Sequence, residues 1–284
     1  MAVVAFVPHH RRSDAIARVK EAILRVEELG HEARVPIADA VATGLDAWGV
    51  PADRLVEGLD LAVAVGGDGT MLRAIDLVAG AGVPVLGVNI GHLGYLTEVE
   101  PGDLDNALDR FLACDHTVEE RMTLAVALDG AGRPHPVRTA VNDAVVQRAS
   151  GSHVVHLEVR IDGAPFKTFA ADGLIVATPT GSTAYNLSAR GPIVEPSLEA
   201  LLLTAVSPHE LFDRTLVLSP TREVTLELLD SRPAELVVDG EHVAPLQPGD
   251  VVTCRRGPVP ARLVTFRPRD FHGVLKKKFG LGDR

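Results

Sequence analysis

The sequence predicts a two-part chain: an α/β region with a parallel sheet and flanking helices, then an all-β, sandwich-like region. Three observations carry this. Over roughly the first 115 residues, uninterrupted apolar runs such as Leu61–Val65 and Val83–Val88 alternate with helical patterns. Continuous apolar runs mark strands buried on both faces, and strand–helix alternation implies a parallel sheet. From about Val118, short β-rich segments follow one another with turn signals between them, including Asp129-Gly130, Asp162-Gly163 and Pro248-Gly249-Asp250, which is the pattern of an antiparallel sandwich. The expected boundaries are 1–117 for the α/β part, rejoined by the C-terminal segment 266–284, and 118–265 for the β-rich part.

Ala2–Val7 is a short apolar strand with no basic leader before it, so it reads as a first strand and not as a signal peptide. Ser13 and Asp14 can cap a helix whose apolar positions Ile16, Val19, Ile23 and Val26 recur at helical spacing, and Gly30 ends it. Pro36–Glu57 is the least regular stretch and is expected to be a loop. Thr70–Ala79 reads as a helix, and Asp103 is expected to cap another running to about Leu112. Strands follow at Thr123–Leu128, Val137–Gln147, Val154–Ile161, Leu174–Ala177, Leu198–Val206, Glu223–Leu228, Glu235–Val238, Val251–Arg255 and Arg262–Phe266. Asp270–Phe279 is a short amphipathic helix expected to return to the first part.

Bulk properties exclude several function classes. The 284 residues are 46% hydrophobic and 23% charged, with a net charge of −10. That is ordinary globular composition, and an acidic balance disfavours a nucleic-acid partner, which needs a basic surface. No stretch approaches 18 uninterrupted apolar residues, so no membrane partner is expected. Cys114 and Cys254 are far apart and lack a CxxC companion, which argues for a reducing compartment and a cytoplasmic location. His9-His10 and His153 have no second His or Cys at ligand spacing, so no residue is assigned to a metal. The run Lys276-Lys277-Lys278 reads as a solvated helix face.

Two loops carry the chemistry. Gly66-Gly67-Asp68-Gly69-Thr70 follows an apolar strand and feeds a helix. Backbone N–H groups at a helix N-terminus form an anion site, and glycines let a ligand approach the chain closely. Neither GxxxxGK[ST] nor GxGxxG is present, so the loop is neither a Walker loop nor a Rossmann fingerprint. With no Walker lysine, phosphate charge must be met by N–H groups, a metal ion and scattered arginines. A second reading makes Asp68 a helix N-cap. Asp172-Gly173 leads into the strand Leu174–Ala177 and then Thr178–Ser188, a run with five Ser/Thr residues, Gly181, Tyr185 and Asn186. It is rich in donors and acceptors; its alternative is a short capped helix. Of the five Asp-Gly pairs, 129–130 and 162–163 are assigned to hairpin turns. The two loops are expected to meet around one phosphorylated, hydroxyl-rich nucleotide.

GGDGT at 66–70, Asn142-Asp143, DGLIVATPTGSTAYNLS at 172–188, Gly191-Pro192-Ile193, Ser207-Pro208-His209 and Asp239-Gly240 occur in the order seen in NAD kinases. The chain resembles that family over about residues 60–245, and more loosely throughout. Gly87–Gly94 is similar to the family's second phosphate-side loop. GGDGT alone is shared with lipid kinases, whereas TPTGSTAY is far more specific.

The resemblance implies phosphoryl transfer from ATP to the 2′-hydroxyl of the adenosine ribose of NAD, giving NADP, with a divalent metal such as Mg2+. By carry-over Asp68 is the proton acceptor. The dinucleotide would be bound by Asp68, Gly69, Arg73, Asn142, Asp143, His153, Asp172, Thr183, Ala184, Tyr185, Asn186, Leu187, Ser188 and Glu241. The family assembles as homodimers or homotetramers, in which the carboxylate matching Asp239 can approach a neighbouring subunit's site. Ala170 replaces a common basic or polar side chain, Arg190 a frequent glycine, Glu241 a common glutamine and Asp143 the commoner Glu. Polyphosphate in place of ATP, a lipid or sugar acceptor, and a non-catalytic dinucleotide sensor are the alternatives.

Overall fold

The structure, a computed structural model, describes residues 1–91, 94–130, 133–149, 153–209 and 211–282. Its contacts divide into two compact units, Met1–Glu120 with Ala261–Arg284, and Arg121–Pro260.

The first unit runs β1 (Val3–Pro8), α1 (Ser13–Glu28), β2 (Glu32–Pro36), α2 (Ile37–Thr43), β3 (Gly49–Val50), α3 (Ala52–Leu55), β4 (Leu61–Gly66), α4 (Asp68–Leu77), β5 (Val85–Asn89), α5 (Leu104–Leu112) and β6 (Thr117–Arg121). Helix α1 buries Ala15, Val19, Ala22, Ile23 and Val26, the face its apolar spacing creates. It ends in a Schellman motif: Gly30 adopts φ 78°, its N–H donates to the Glu27 carbonyl, and the His31 N–H donates to that of Val26. No side-chain cap forms at the N-cap position of α1, although the Asp14 carboxylate accepts the Ala15 N–H of the first turn at 2.9 Å. Arg12, not Ser13 or Asp14, precedes α1, and its carbonyl already accepts from the Ile16 N–H. Asp103 makes no cap bond either, because the 3₁₀ turn Pro101–Asp103 leads directly into α5.

Pro36–Glu57 is not a loop. It folds as α2, a 3₁₀ turn at Asp46–Trp48, β3 and α3, with Gly44 ending α2 at φ 71° and Leu45 and Leu55 buried beneath it. The elements are too short for periodicity to reveal, and two anchoring leucines fix them.

The second unit is antiparallel throughout its described ladders. It contains β7 (Leu124–Gly130), β8 (Arg133–Pro134), β9 (Arg138–Ala140), β10 (Asp143–Arg148), β11 (Val155–Ile161), β12 (Ala164–Ala171), β13 (Gly173–Ala177), α6 (Tyr185–Ser188), β14 (Leu201–Val206), β15 (Leu216–Leu218), β16 (Val224–Leu228), β17 (Ala234–Val238), β18 (Glu241–Leu246) and β19 (Val251–Arg256). One sheet runs β15-β14-β13-β10-β17-β18 and the other β12-β11-β16-β19-β7-β8, with β9 beside β7. Their facing sides share one apolar core, including Leu124, Val126, Leu157, Leu226 and Cys254 from one and Val146, Leu174, Val176, Leu203 and Leu236 from the other.

Asp162-Gly163 is the expected hairpin turn, with both residues at positive φ. Asp129-Gly130 is not a turn: both residues lie in the ladder, opposite Pro134 and Arg133. The expected strand Val137–Gln147 splits at Val141-Asn142, where Asp239 captures the backbone. The chain then returns to the first unit as β20 (Ala261–Thr265) and α7 (Phe271–Phe279). The sequence places β20 in the sandwich, but it pairs parallel with β5 and buries Ala261, Leu263 and Val264 in the first unit. α7 opens at Asp270, whose carboxylate accepts from the Gly273 N–H at 2.8 Å. Among the described residues, no helix is long and apolar enough to cross a membrane.

Candidate functional site

The sheet of the first unit runs β3-β2-β1-β4-β5-β20-β6. Chain connections leave β1 toward β2 on one side and β4 toward β5 on the other, so the order reverses between β1 and β4. Open α/β sheets bind ligands outside the carboxyl ends of the strands at such a point. The residues there are Pro8–Arg12 and the glycine loop.

Each part of that loop has a steric reason. A Cβ on Gly66 would drive into the Thr70 side chain, so only glycine lets the strand pass so close to the first turn of α4. The Gly67 carbonyl accepts from the Thr70 and Met71 N–H groups at 3.0 and 3.1 Å, which starts the helix. Open space surrounds the positions where Gly67 and Gly69 would carry side chains. First-turn amides have no acceptor within a helix, so this bare backbone is open to an anion.

Asp68 is the first residue of α4 and caps nothing in it, which removes the N-cap reading. Its carboxylate accepts from the Tyr95 N–H at 2.8 Å and the Leu96 N–H at 2.9 Å, one on each oxygen. A Cβ on Gly94 would collide with that carboxylate and with the Thr97 hydroxyl. Thr97 Oγ1 and Asn89 Oδ1 are buried without hydrogen-bond partners among the described residues. Neither stood out in the sequence beyond its place in or beside the Gly87–Gly94 stretch, of which His92 and Leu93 lie outside the described residues. Arg73, one turn along α4, bonds the buried Asp39 and donates to the Pro8 carbonyl at 2.7 Å. It therefore also ties α2 and α4 to the end of β1.

In the second unit, Asp239 and Gly240 form a two-residue hairpin turn between β17 and β18, at φ 49° and 83°. The Asp239 carboxylate accepts from the N–H groups of Val141, Asn142 and Asp143 at 2.7, 2.7 and 3.0 Å. The Asn142 carbonyl accepts from the Thr178 N–H at 2.9 Å, and the Thr178 hydroxyl donates to the Val141 carbonyl at 2.5 Å. A Cβ on Gly181 would strike the Asn142 carbonyl. Asn142-Asp143 and the start of the hydroxyl-rich loop are thereby locked as one piece. Burial, and then the charge of Asp239, push the Asp143 carboxyl up to about 7.

The loop is a 3₁₀ turn, Thr180–Thr183, followed by the single turn of α6, not a helix capped by Ser182 or Thr183. Several of its polar groups turn inward. Ser182 Oγ donates to the Val194 carbonyl at 3.1 Å and accepts its N–H at 3.0 Å. Asn186, counted among the ligand-lining residues, is fully buried. Its amide donates to the Ser182 and Pro192 carbonyls and accepts from Thr204 at 2.6 Å. These bonds tie the Asn186 side chain into the loop and to β14. Thr183 Oγ1 donates to the Thr180 carbonyl at 3.3 Å; Ala184 and Leu187 are half-buried, and Ser188 is exposed.

Tyr185 presents its ring at 39% exposure. Burial, and then Asp172 and Asp143, hold its phenol above the ordinary tyrosine value, so it is neutral. Asp172 pairs with Arg148 at 2.7 Å. Glu241 lies exposed at the start of β18, 3.4 Å from Arg138. His153 is exposed beside residues outside the description.

Comparison with known proteins identifies the chain. A family model described as the ATP-NAD kinase N-terminal domain matches residues 52–117, and its C-terminal counterpart matches 141–266. An NAD kinase of Symbiobacterium thermophilum is 40% identical over 276 residues, 96% of this chain and 97% of that protein. This chain belongs to the NAD kinase family. An NAD kinase of Heliobacterium modesticaldum is 46% identical over 231 residues, 81% of each chain. Yeast NADH kinase, solved with NADH, superposes with a TM-score of 0.91 at 25% identity, covering 100% of this chain and 89% of that one. An NAD kinase from Archaeoglobus fulgidus, solved with ATP, gives 0.75 at 26% identity over 99% of both chains. As an NAD kinase, the chain is a phosphotransferase.

Proposed function

We propose that the chain transfers the terminal phosphoryl group of ATP to the 2′-hydroxyl of the adenosine ribose of NAD, with Asp68 as proton acceptor. The observation that carries this is the Asp68 carboxylate, fixed by two backbone N–H groups beside a glycine backbone that a ligand can approach without obstruction. A carboxylate is too weak a base to strip a sugar hydroxyl outright. Its task is to orient that hydroxyl and take the proton late, as the phosphoryl group leaves its donor. Most of the acceleration then comes from alignment and charge stabilisation.

Tyr185 offers an aromatic face, while Asn142, Asp143 and Asp172 offer hydrogen-bonding edges to ribose and base. Among the described residues, no group of three or more His, Cys, Asp or Glu side chains could hold a metal. A divalent ion such as Mg2+ fits as a companion of the donor phosphates, with at most one or two protein carboxylates. There it screens phosphate charge. A homo-oligomer in the cytoplasm completes the reading, in line with the family resemblance.

The test is NADP formation by the purified chain with ATP and Mg2+, with polyphosphate as a second donor and NADH as a second acceptor. Asp68→Asn is expected to lower turnover at least about 100-fold, the scale of acid–base contributions, while circular dichroism stays unchanged. Undiminished turnover in that variant removes Asp68 from the chemistry. Tight NAD binding by the unaltered chain without any NADP would favour a sensor.

A further inference from the structure

We infer that Arg269, in the C-terminal segment, is a positioning residue for Asp68 that acts through the peptide groups of Tyr95 and Leu96. The inference rests on the reading of Asp68 as proton acceptor and adds a residue that neither the motifs nor the resemblance assigns.

The geometry forms a chain of contacts within the first unit. Arg269 Nη1 donates to the Leu96 carbonyl at 3.0 Å and to the Tyr95 carbonyl at 3.3 Å. The N–H groups of the same two residues hold the two oxygens of Asp68. The Tyr95 carbonyl and the Leu96 N–H belong to one planar peptide group, so fixing the oxygen fixes the direction of the donor. The guanidinium is itself held in place. Its side chain is 12% exposed, with Nε 3.1 Å from Glu119 and 3.8 Å from Glu98. A charged donor at a buried site forms a stronger hydrogen bond than a neutral one.

The rest of the segment grips the same stretch. Lys278 Nζ stands 4.2 Å above the Tyr95 ring, and the Phe271 ring lies 6.5 Å from it. The stretch 94–98 is therefore clasped by the C-terminal return on one side and by the Asp68 carboxylate on the other. A carboxylate that must meet a hydroxyl in line with a phosphoryl donor loses rate steeply when its support loosens.

The experiment uses the full chain with Arg269→Gln, Arg269→Lys and Lys278→Ala. It measures amide hydrogen exchange at Tyr95 and Leu96, kcat, KM for each substrate, and NAD affinity. For Arg269→Gln, exchange at both amides is expected to accelerate about tenfold, as local protection is lost. Its kcat should fall about ten- to 100-fold with NAD affinity held within about twofold, the signature of lost alignment. Arg269→Lys keeps the charge and one donor, and should recover part of both effects. Lys278→Ala sits at the surface and should move the Tyr95 amide in the same direction by about two- to threefold. Arg269→Lys decides the matter if the glutamine variant does not fold.

Unchanged exchange at both amides overturns the inference whatever the turnover. So does faster exchange with kcat unaltered, or a kcat loss matched by an equal loss of NAD affinity. Should the unaltered chain make no NADP, the functional reading fails. The exchange measurement still decides whether Arg269 holds the Asp68 donors, so the two failures are separate.

Discussion

Asp143 and Asp239 show how two neighbouring carboxylates are set apart by their surroundings. Asp239 sits in a left-handed turn, and three backbone N–H groups converge on its oxygens, an arrangement that favours the ionised form. Asp143 is 4% exposed and next to that charge, so its carboxyl is pushed up to about 7. The consequence for stability has a definite sign. Between the ordinary aspartate value and about 7, the folded chain keeps a proton on Asp143 that the unfolded chain has lost. Stability therefore falls as pH rises through that window, and below it the contribution is fully present. Asp143→Asn removes the titration, and it should gain on the unaltered chain at pH 8 relative to pH 5. Denaturant midpoints at the two pH values measure this, and parallel pH profiles for the two proteins would refute the assignment. At the same scale, burial raises the Cys254 thiol to about 12, so it acts as a small apolar side chain within the sandwich core.

Single elements explain both what the sequence revealed and what it concealed. The central strands β4, β5 and β13 are buried along their whole length, so each appears as an unbroken apolar run. The motifs that announced the site lie at their ends, where turn chemistry is strict: Gly66, Gly181 and Gly94 each sit where any Cβ would collide. Edge strands were harder to see. Expectation passed over β12 and β15, whose residues are largely exposed or half-buried, because their stability comes from pairing and not from composition. Side-chain contacts were hidden for another reason. The Asn186 side chain is engaged by Ser182, Pro192 and Thr204, and sequence position cannot reveal that inward orientation. The structure gives a physical reason why the family resemblance sets a frequent glycine against Arg190. Arg190 follows α6 at φ 66°, and its N–H closes that turn on the Leu187 carbonyl at 3.0 Å. A non-glycine residue in that conformation costs about 1–2 kcal/mol, while glycine adds unfolded-state entropy that offsets part of the gain. Arg190→Gly should therefore stabilise the chain by about 0.5–1 kcal/mol, read from denaturant unfolding. A loss of stability instead would mean that the arginine side chain makes a contribution larger than the backbone strain.

Across the whole molecule, the proposed function divides its duties between the two units, and kinetics can test that division. The first unit holds Asp68 through Tyr95 and Leu96, and Arg269 braces that hold. The second holds Asn142-Asp143, Thr178 and Tyr185 on a scaffold with its own apolar core and its own network from Asp239. A substitution confined to either scaffold should appear mainly in the constant that its unit governs. Tyr185→Ala removes a half-exposed ring whose stacking on a base is worth about 1–3 kcal/mol, so KM for NAD should rise about tenfold while kcat changes little. Asp68→Asn should do the reverse, lowering kcat and sparing NAD affinity. Effects of separately supported groups combine additively to within about 0.5 kcal/mol in transition-state free energy. The double variant is therefore expected to show both losses in full, measured as kcat/KM against the two single variants. A kcat deficit in Tyr185→Ala as large as its KM defect, or strong non-additivity in the double variant, would show that the ring takes part in aligning the acceptor hydroxyl as well as in binding, and the division of labour between the units would have to be redrawn.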